Sequence, residues 1–375
     1  MRILFRKKVF CGKPVARAGE GGAVLLRDGR VLFACNRLDG NEDYDPGELY
    51  GGYLDPETGA ISEDRIFFAA PGACNQMSVN FERLPDGGIG FIFGRKSDAN
   101  TNEIFFSRSY DEGKTWQPLR SVSGAYRRLA PYFVLNNDRL RVLANGRLAL
   151  PVCIYYDGFR FAPGEPKQES DLALFLSDDN GDSWRLSSTV PTPDAGQMPL
   201  PPRMAPGGET LFDSNRNHEY RFQEPGVELL ADGRVLLYCR TLLGYMYQAY
   251  SADNGEHFST LAAAKDIVSP CSPQSIRRAP GGNRLYCVYN DHRDIPYSGE
   301  PPWTWRTPLS LAVSDDHGST YKPLGEVEDT SHNYCYASMT FLPGNRLLLT
   351  DYESENLMGK RRNLAFLKLQ LIELQ

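Results

Sequence analysis

Six copies of a hairpin pattern run through the chain. In each copy an apolar run leads into a tight glycine-containing turn, often Asp-Gly or Asn-Gly, and a second apolar run follows. The six turns lie at Gly29, Gly87, Gly146, Gly233, Gly282 and Gly344. Asp-Gly and Asn-Gly between β-rich runs predict hairpins with type I′ turns, in which both central residues have positive φ. The pattern therefore predicts an all-β chain built from repeated units.

A second repeat has the form Ser-x-Asp-x-Gly-x-Thr-Trp, with related residues at its last two positions. Its copies, called Asp boxes below, begin at Ser109, Ser177, Ser251 and Ser314, and each follows a strand-like run. The Asp can accept hydrogen bonds from the local backbone, the Gly permits the turn, and the aromatic residue packs beneath it. We therefore interpret the box carboxylates as structural. Together the two repeats predict a six-bladed β-propeller that spans residues 1–375 as a single domain.

Composition narrows the choice of partners. The net charge of -6 gives a nucleic acid no electrostatic attraction to the molecule as a whole, so no nucleic-acid partner is expected. No apolar run is long enough to cross a bilayer, and the N-terminus lacks the apolar core of a secretory signal, so we expect a cytoplasmic protein without a membrane partner. The eight cysteines form no Cys-x-x-Cys pair and predict buried free thiols, with neither a metal nor a cofactor.

Arginines gather at one predicted face of the propeller. Residues just before the first strand and just after the second strand of a blade lie on the same face near the axis, whereas the Asp boxes lie on the opposite face. The predicted pocket face carries Arg17, Glu20, Arg37, Asn75, Ser78, Arg95, Asp138, Arg139, Glu224, Arg240, His292, Arg306, Tyr336 and Glu353. Several guanidinium groups that meet around one axis indicate an anion site, because Arg grips a carboxylate through two parallel hydrogen bonds.

The Asp boxes and the order of these residues resemble the sialidase (neuraminidase) superfamily over nearly the whole chain. The resemblance implies that three arginines, Arg17, Arg240 and Arg306, clamp the carboxylate of the substrate. It further implies that Tyr336 is the nucleophile and that Glu224 is its general base.

The resemblance also assigns supporting roles. Asp43 corresponds to the acid/base, and Glu353 corresponds to the carboxylate that orients Arg17. Tyr334 competes with Tyr336 as the nucleophile, and Asp39 and Asp45 compete with Asp43. Further polar groups on this face are expected to bind substrate or to change which acidic sugar fits: Glu20, Arg37, Arg95, Arg139 and His292.

A tyrosine nucleophile makes chemical sense for such a substrate. A sugar that carries a carboxylate on its anomeric carbon would repel a carboxylate nucleophile. A phenol ionises only near pH ~10, so it needs a neighbouring base, and Asp43 would need a raised pKa to protonate the leaving oxygen. We therefore expect an exo-acting, retaining glycoside hydrolase that removes a terminal α-linked sialic acid or a related ulosonic acid. The alternatives are a non-catalytic propeller that binds acidic sugars and a hydrolase or lyase that acts on another sugar acid.

Overall fold

A computed structural model describes residues 1–9, 16–40, 43–98, 100–156, 170–193, 222–241, 243–295, 306–355 and 366–374. In these ranges the chain is almost entirely β-structure, with two single-turn 3-10 helices at Gly124–Tyr126 and Ala144–Gly146. No helix of the described ranges is long and apolar enough to span a bilayer. The prediction of an all-β fold is confirmed.

Within the described ranges the strands form five sheets. Strand β1 (Arg2–Val9) pairs with the last strand of the chain and so belongs to sheet V. Sheet I contains β2 (Arg17–Leu25), β3 (Val31–Leu38), β4 (Gly47–Leu54) and β5 (Ile61–Phe67). Sheet II contains β6 (Asn75–Arg83), β7 (Ile89–Asp98), β8 (Thr101–Ser109), β9 (Arg120–Ser121), β10 (Tyr132–Val134), β11 (Arg141–Val142), β12 (Leu148–Tyr155), β13 (Ser170–Ser177) and β14 (Arg185–Leu186).

The remaining sheets each have four strands. Sheet III contains β15 (Phe222–Leu229), β16 (Val235–Thr241), β17 (Tyr245–Ser251) and β18 (Ala262–Val268). Sheet IV contains β19 (Ser275–Arg278), β20 (Leu285–Asn290), β21 (Leu309–Ser314) and β22 (Lys322–Glu328). Sheet V contains β23 (His332–Leu342), β24 (Arg346–Glu355), β25 (Phe366–Glu373) and, at its outer edge, β1.

The nine strands of sheet II fall into two halves. Strands β6–β9 and β10–β14 are antiparallel within each half, and one parallel residue pair, Asn102 with Tyr132, joins the halves. The strand pairing thus gives five sheets, not six separate blades, and the count of six blades stays a prediction.

Apolar side chains join neighbouring sheets. Residues such as Phe33 on β3 and Leu237 on β16 are completely buried, since these central strands are covered on both faces. Buried clusters connect sheet I with II, II with III, III with IV, and IV with V. A further cluster connects sheet V back to sheet I. Side-chain packing, and not hydrogen bonding between sheets, therefore sets their order.

All six predicted hairpins are present, but their turns differ in type. At Asn145–Gly146 and at Gly344–Asn345 both residues have positive φ, as the type I′ prediction requires. At Gly29 only the glycine has positive φ, and the N–H of Leu26 bonds the carbonyl of Arg30, which makes a three-residue loop. In the fifth hairpin the glycine with positive φ is Gly281, not Gly282.

The Asp boxes are closed structural turns. In the first box Asp111 accepts hydrogen bonds from the backbone N–H and the hydroxyl of Thr115, at 2.9 and 2.6 Å. The hydroxyl of Ser109 donates to Asp111 and accepts from the N–H of Gly113, both at 2.8 Å. The same pattern recurs at Asp179, Asp253 and Asp316. The structural interpretation of these carboxylates is confirmed.

Candidate active site

Four polar side chains reach the site from the same local feature, which lies on the first strand of each of four hairpins: β2, β6, β15 and β23. Glu20, Ser78, Glu224 and Tyr336 have positive φ, at 43°, 64°, 47° and 54°. Each lies where the register of its hairpin shifts, so each is part of a β-bulge. Non-glycine residues rarely adopt this conformation, and when they do they often serve a functional site. The bulges re-aim one polar side chain from each strand.

These bulge residues share one space although they come from different sheets. The hydroxyl of Ser78 donates to Glu20 Oε2 at 2.7 Å. The charge of Glu224 acts on Glu20 and on Tyr336, and the charge of Glu20 acts on Tyr336. Sheets I, II, III and V therefore all contribute to one polar cluster.

The three predicted arginines lie around this cluster. Arg17 opens β2 and pairs with Glu20 at 3.2 Å and with Asp43. Arg240, near the end of β16, pairs with Glu224 at 3.0 Å and donates to Gln223 Oε1 at 2.9 Å. The guanidinium of Arg306, just ahead of β21, lies 5.3 Å from the centre of the Tyr336 ring. The structure thus brings Arg17, Arg240, Arg306, Glu224 and Tyr336 together.

Several buried N–H groups of these arginines are unpaired. Arg240 Nε and Nη1, Arg306 Nε and Arg17 Nε have no hydrogen-bond partner among the described residues. A buried donor without an acceptor is costly, and a buried guanidinium costs more than a neutral group. A bound anion would satisfy these donors, and a carboxylate matches their planar geometry.

The phenol of Tyr336 sits between a carboxylate and two guanidinium groups. Burial and the negative charge of Glu224 raise the pKa of Tyr336, and the positive charges of Arg240 and Arg306 oppose this shift. The ring also meets the ring of Tyr352 edge to face, with centroids 5.4 Å apart. The hydroxyl is therefore neutral near pH 7 and needs a base before it can attack, and Glu224 is the carboxylate with the largest effect on it.

Tyr334 lies elsewhere, although it is only two residues from Tyr336. Lys368 Nζ lies 4.4 Å from the centre of the Tyr334 ring, and the hydroxyl of Tyr334 is 3.4 Å from Ser331 Oγ. In a regular strand residues two apart face the same side, but the bulge that begins after Cys335 interrupts this alternation. Of the two tyrosines, the structure brings Tyr336 to the arginines.

Asp43 is bound to Arg17 by an ion pair. Its backbone carbonyl accepts hydrogen bonds from Asn75 Nδ2 at 2.6 Å and from Lys96 Nζ at 2.8 Å. Although burial works in the opposite direction, the charges of Arg17 and Lys96 hold the pKa of Asp43 well below its ordinary value. This direction is opposite to the raised pKa that a general acid needs. The two competing candidates for the acid/base, Asp45 and Asp39, also form backbone hydrogen bonds. The carbonyl of Asp45 accepts one from Asn75 at 3.1 Å, and the N–H of Asp39 donates one to the carbonyl of Pro46.

Glu353 does not contact Arg17. Its carboxylate pairs with Lys368 Nζ at 2.8 Å and with Lys8. Glu20 is the glutamate that pairs with Arg17 instead. The assignment of Glu353 to the first arginine was wrong because the side chain of a strand residue depends on the bulges around it, which sequence position does not reveal.

The other three predicted arginines are tied into the ends of the sheets. Arg37 pairs with Glu48 at 2.6 Å and lies over the ring of Tyr50. Arg95 lies 4.7 Å from the ring centre of Phe105 and donates to Gln76. Arg139 is almost fully buried and donates to the hydroxyl of Tyr238 and to the carbonyl of Gln274. Each of these three arginines thus has partners within the protein. The contacts of Arg139 also link sheet II to sheets III and IV.

Two residues near the arginines were given no role from the sequence. Lys96 directly follows Arg95, and adjacent strand residues face opposite sides, so only one of them can point towards Asp43. Lys96 does so, which strand alternation could have suggested. The centre of the Tyr352 ring lies 5.6 Å from the Arg17 guanidinium, and the ring packs against that of Tyr336. From the sequence, a role was assigned to the neighbouring Glu353 instead.

Comparison with known proteins places the chain in a family. Residues 89–347 match the BNR repeat-like domain, which is more than half of the chain. The chain belongs to the BNR repeat-like domain family. No curated protein sequence matches this BNR repeat protein.

Solved structures of low sequence identity share the fold of the BNR repeat protein. A Dyadobacter fermentans protein of unknown function is 16% identical with a TM-score of 0.69, and the match covers 100% of this chain and 99% of that one. The leech intramolecular trans-sialidase is 14% identical with a TM-score of 0.70, covering 97% and 69% of the two chains. The intramolecular trans-sialidase of Ruminococcus gnavus is 12% identical with a TM-score of 0.69, covering 98% of both chains. The all-β architecture is therefore that of sialidase folds.

Proposed function

We propose that this protein is an exo-acting, retaining glycoside hydrolase that cleaves a terminal α-linked sialic acid or a related ulosonic acid. One observation carries the proposal: three guanidinium groups from separate sheets surround a tyrosine that faces a glutamate. Unpaired buried N–H groups on Arg240 and Arg306 favour a planar anion as the ligand. In support, the leech enzyme was solved with 2,7-anhydro-Neu5Ac and the Ruminococcus gnavus enzyme with oseltamivir carboxylate.

The proposed architecture is one catalytic unit over residues 1–375. The single residue pair between the halves of sheet II supports their interpretation as two blades. With the four other sheets, this interpretation makes six blades around the arginine cluster.

The proposed first step forms a bond between Tyr336 Oη and the anomeric carbon. Glu224 accepts the phenolic proton, and the bond to the leaving oxygen breaks as that oxygen takes a proton from Asp43. Arg17, Arg240 and Arg306 hold the carboxylate of the sugar. In the second step Asp43 removes a proton from water, the water oxygen attacks the anomeric carbon, and Tyr336 leaves with the proton held by Glu224. Two displacements at one carbon retain its configuration.

The role of Asp43 requires a change at Arg17. Asp43 is paired with Arg17 and its pKa is lowered, so it carries no proton to give while this ion pair lasts. A substrate carboxylate that takes the place of Asp43 on Arg17 ends this ion pair and weakens the largest of the charge effects that lower the pKa of Asp43. The side chain of Asp43 is 47% exposed, so water can solvate its carboxylate once it leaves Arg17.

Fluorophore release from an aryl α-sialoside tests the proposal, and Tyr336→Phe is the decisive variant. We expect a loss of about a thousandfold or more in kcat, because removal of the nucleophile leaves only binding and electrostatic contributions. Tyr334→Phe is the matched control, since it removes the same atom two residues away, and it should keep kcat within about twofold. Full activity of Tyr336→Phe would remove the nucleophile assignment.

A non-catalytic sugar-acid binding protein is the second candidate. The pairing of Asp43 with Arg17 favours it, because this pair leaves the proposed acid ionised. Calorimetric binding of acidic glycans without turnover would support it. Product analysis separates a hydrolase from a lyase, because a lyase leaves an unsaturated sugar that absorbs ultraviolet light.

A further inference from the structure

Glu20 occupies an unusual place for a carboxylate. It lies on the bulge of β2 with positive φ, and its side chain is only 4% exposed. Its two oxygens face Arg17 Nη2 at 3.2 Å and the hydroxyl of Ser78 at 2.7 Å. Arg17 on β2 and Ser78 on β6 each hold one oxygen of this carboxylate, which is kept away from water.

Arg17 is the point at which Glu20 affects a ligand. One terminal nitrogen of Arg17 faces Asp43 and the other faces Glu20. When both carboxylates are ionised, they more than neutralise the guanidinium. An anionic ligand then meets excess negative charge at Arg17, whereas a protonated Glu20 leaves Arg17 with only one counter-charge.

We propose that Glu20 positions Arg17 and that the proton on Glu20 controls how strongly this site binds an acidic ligand. The inference rests on the proposed function for the identity of the ligand, a sugar acid. It gives Glu20 the positioning role that the sialidase resemblance assigned to Glu353, which is neutralised by Lys368 and Lys8.

The surroundings of Glu20 make its proton available near neutral pH. Burial, together with the charges of Asp43 and Glu224, raises the pKa of Glu20 to about 7, while Arg17 and Ser78 oppose the shift. The charged and titratable groups that act on Glu20 or feel its charge are Arg17, Asp43, Lys96, Tyr132, Glu224, Cys335, Tyr336 and Tyr352. Arg17 and Lys96 have raised pKa values and stay charged, Asp43 has a lowered one and stays ionised, and the three tyrosines and the thiol have raised values and stay neutral.

The first test needs no ligand. Because the pKa of Glu20 is raised on folding, the stability that its protonated form provides is complete below the ordinary value of 4.5 and is lost as the pH rises through about 7. The melting temperature of the wild type should therefore fall relative to that of Glu20→Gln over this range. Glu353→Gln is the matched control and should not reproduce this relative change, because its partners differ. Ser78→Ala should move the change to higher pH, since it removes a hydrogen bond to the ionised form.

The second test measures the affinity for free sialic acid by calorimetry from about pH 5 to about pH 8.5. Its carboxylate stays ionised throughout this range, so the protein causes any change. We expect the wild type and Glu353→Gln to lose about tenfold in affinity as the pH rises, while Glu20→Gln keeps a nearly constant affinity.

The two tests separate the possible failures. If the wild type and Glu20→Gln have parallel melting and binding profiles, the inference about Glu20 is overturned while the proposed function stands. If sialic acid binds to neither protein at any pH, the proposed function loses its ligand. The melting comparison then decides the inference, since parallel curves overturn the titration of Glu20 and divergent curves support it.

Discussion

The two ends of the sheets use the same residue types for different purposes. At the end with the Asp boxes, Asp111 bonds to Ser109 and Thr115, which lie within four residues of it. At the other end, the charge of Arg240 on sheet III acts on Tyr336 of sheet V, and Arg240 keeps two unpaired N–H groups among the described residues. A carboxylate whose partners are all local stabilises a turn. Polar groups that are assembled from distant strands and left partly unpaired indicate a binding site.

The largest expected difference between the two ends comes from neutralising Glu224, a glutamate of the candidate active site. Glu224→Gln keeps the size of the side chain but cannot accept the phenolic proton, and it weakens the ion pair with Arg240. We expect kcat on an aryl α-sialoside to fall by about a hundredfold to a thousandfold. Asp316→Asn, at the box end, is the matched control and should leave kcat unchanged within about twofold. Equal losses in both variants would mean that the two ends do not differ in function.

A second comparison concerns two arginines on the same face. Arg306 has an unpaired Nε and lies over Tyr336, whereas Arg37 is paired with Glu48. Arg306→Lys retains the charge but loses the planar fork, so we expect KM to rise by about tenfold with a smaller change in kcat. Arg37→Lys should change KM by less than about twofold. A larger KM change in the Arg37 variant would move the anion site towards sheet I.

Local patterns were predictable from the sequence and the facing of individual side chains was not. The hairpin glycines and the Asp boxes depend on residues at most four apart, so their spacing contains the required information. Arg17, Arg240 and Arg306 were placed by their positions at strand ends. Tyr334 and Tyr336 could not be separated because the bulge between Cys335 and Ser338 decides which of them faces the site, and a bulge depends on the partner strand.

The carboxylate partner of Arg17 could not be predicted for the same reason. Glu20 and Glu353 both lie on strands near Arg17 in the predicted arrangement, and either could have paired with it. The positive φ of Glu20 turns it towards Arg17, and Lys368 on β25 takes Glu353. The choice depends on long-range packing that single residues do not encode.

The smallest expected effect is a change in stability on substitution of Asp111, a carboxylate of an Asp box. Asp111→Asn weakens the bonds to Thr115 and should lower the free energy of unfolding by about 1 kcal/mol, with kcat unchanged. Partial burial would raise the pKa of Asp111, but hydrogen bonds from Thr115 and Ser109 lower it to about 2. The stability contributed by the ionised form is therefore present above the ordinary value of 3.8 and is lost as the pH falls through about 2. Denaturant titrations should show the wild type and Asp111→Asn converging in acid; a difference that grows there, or a loss of kcat near pH 7, would assign this carboxylate more than a local structural role.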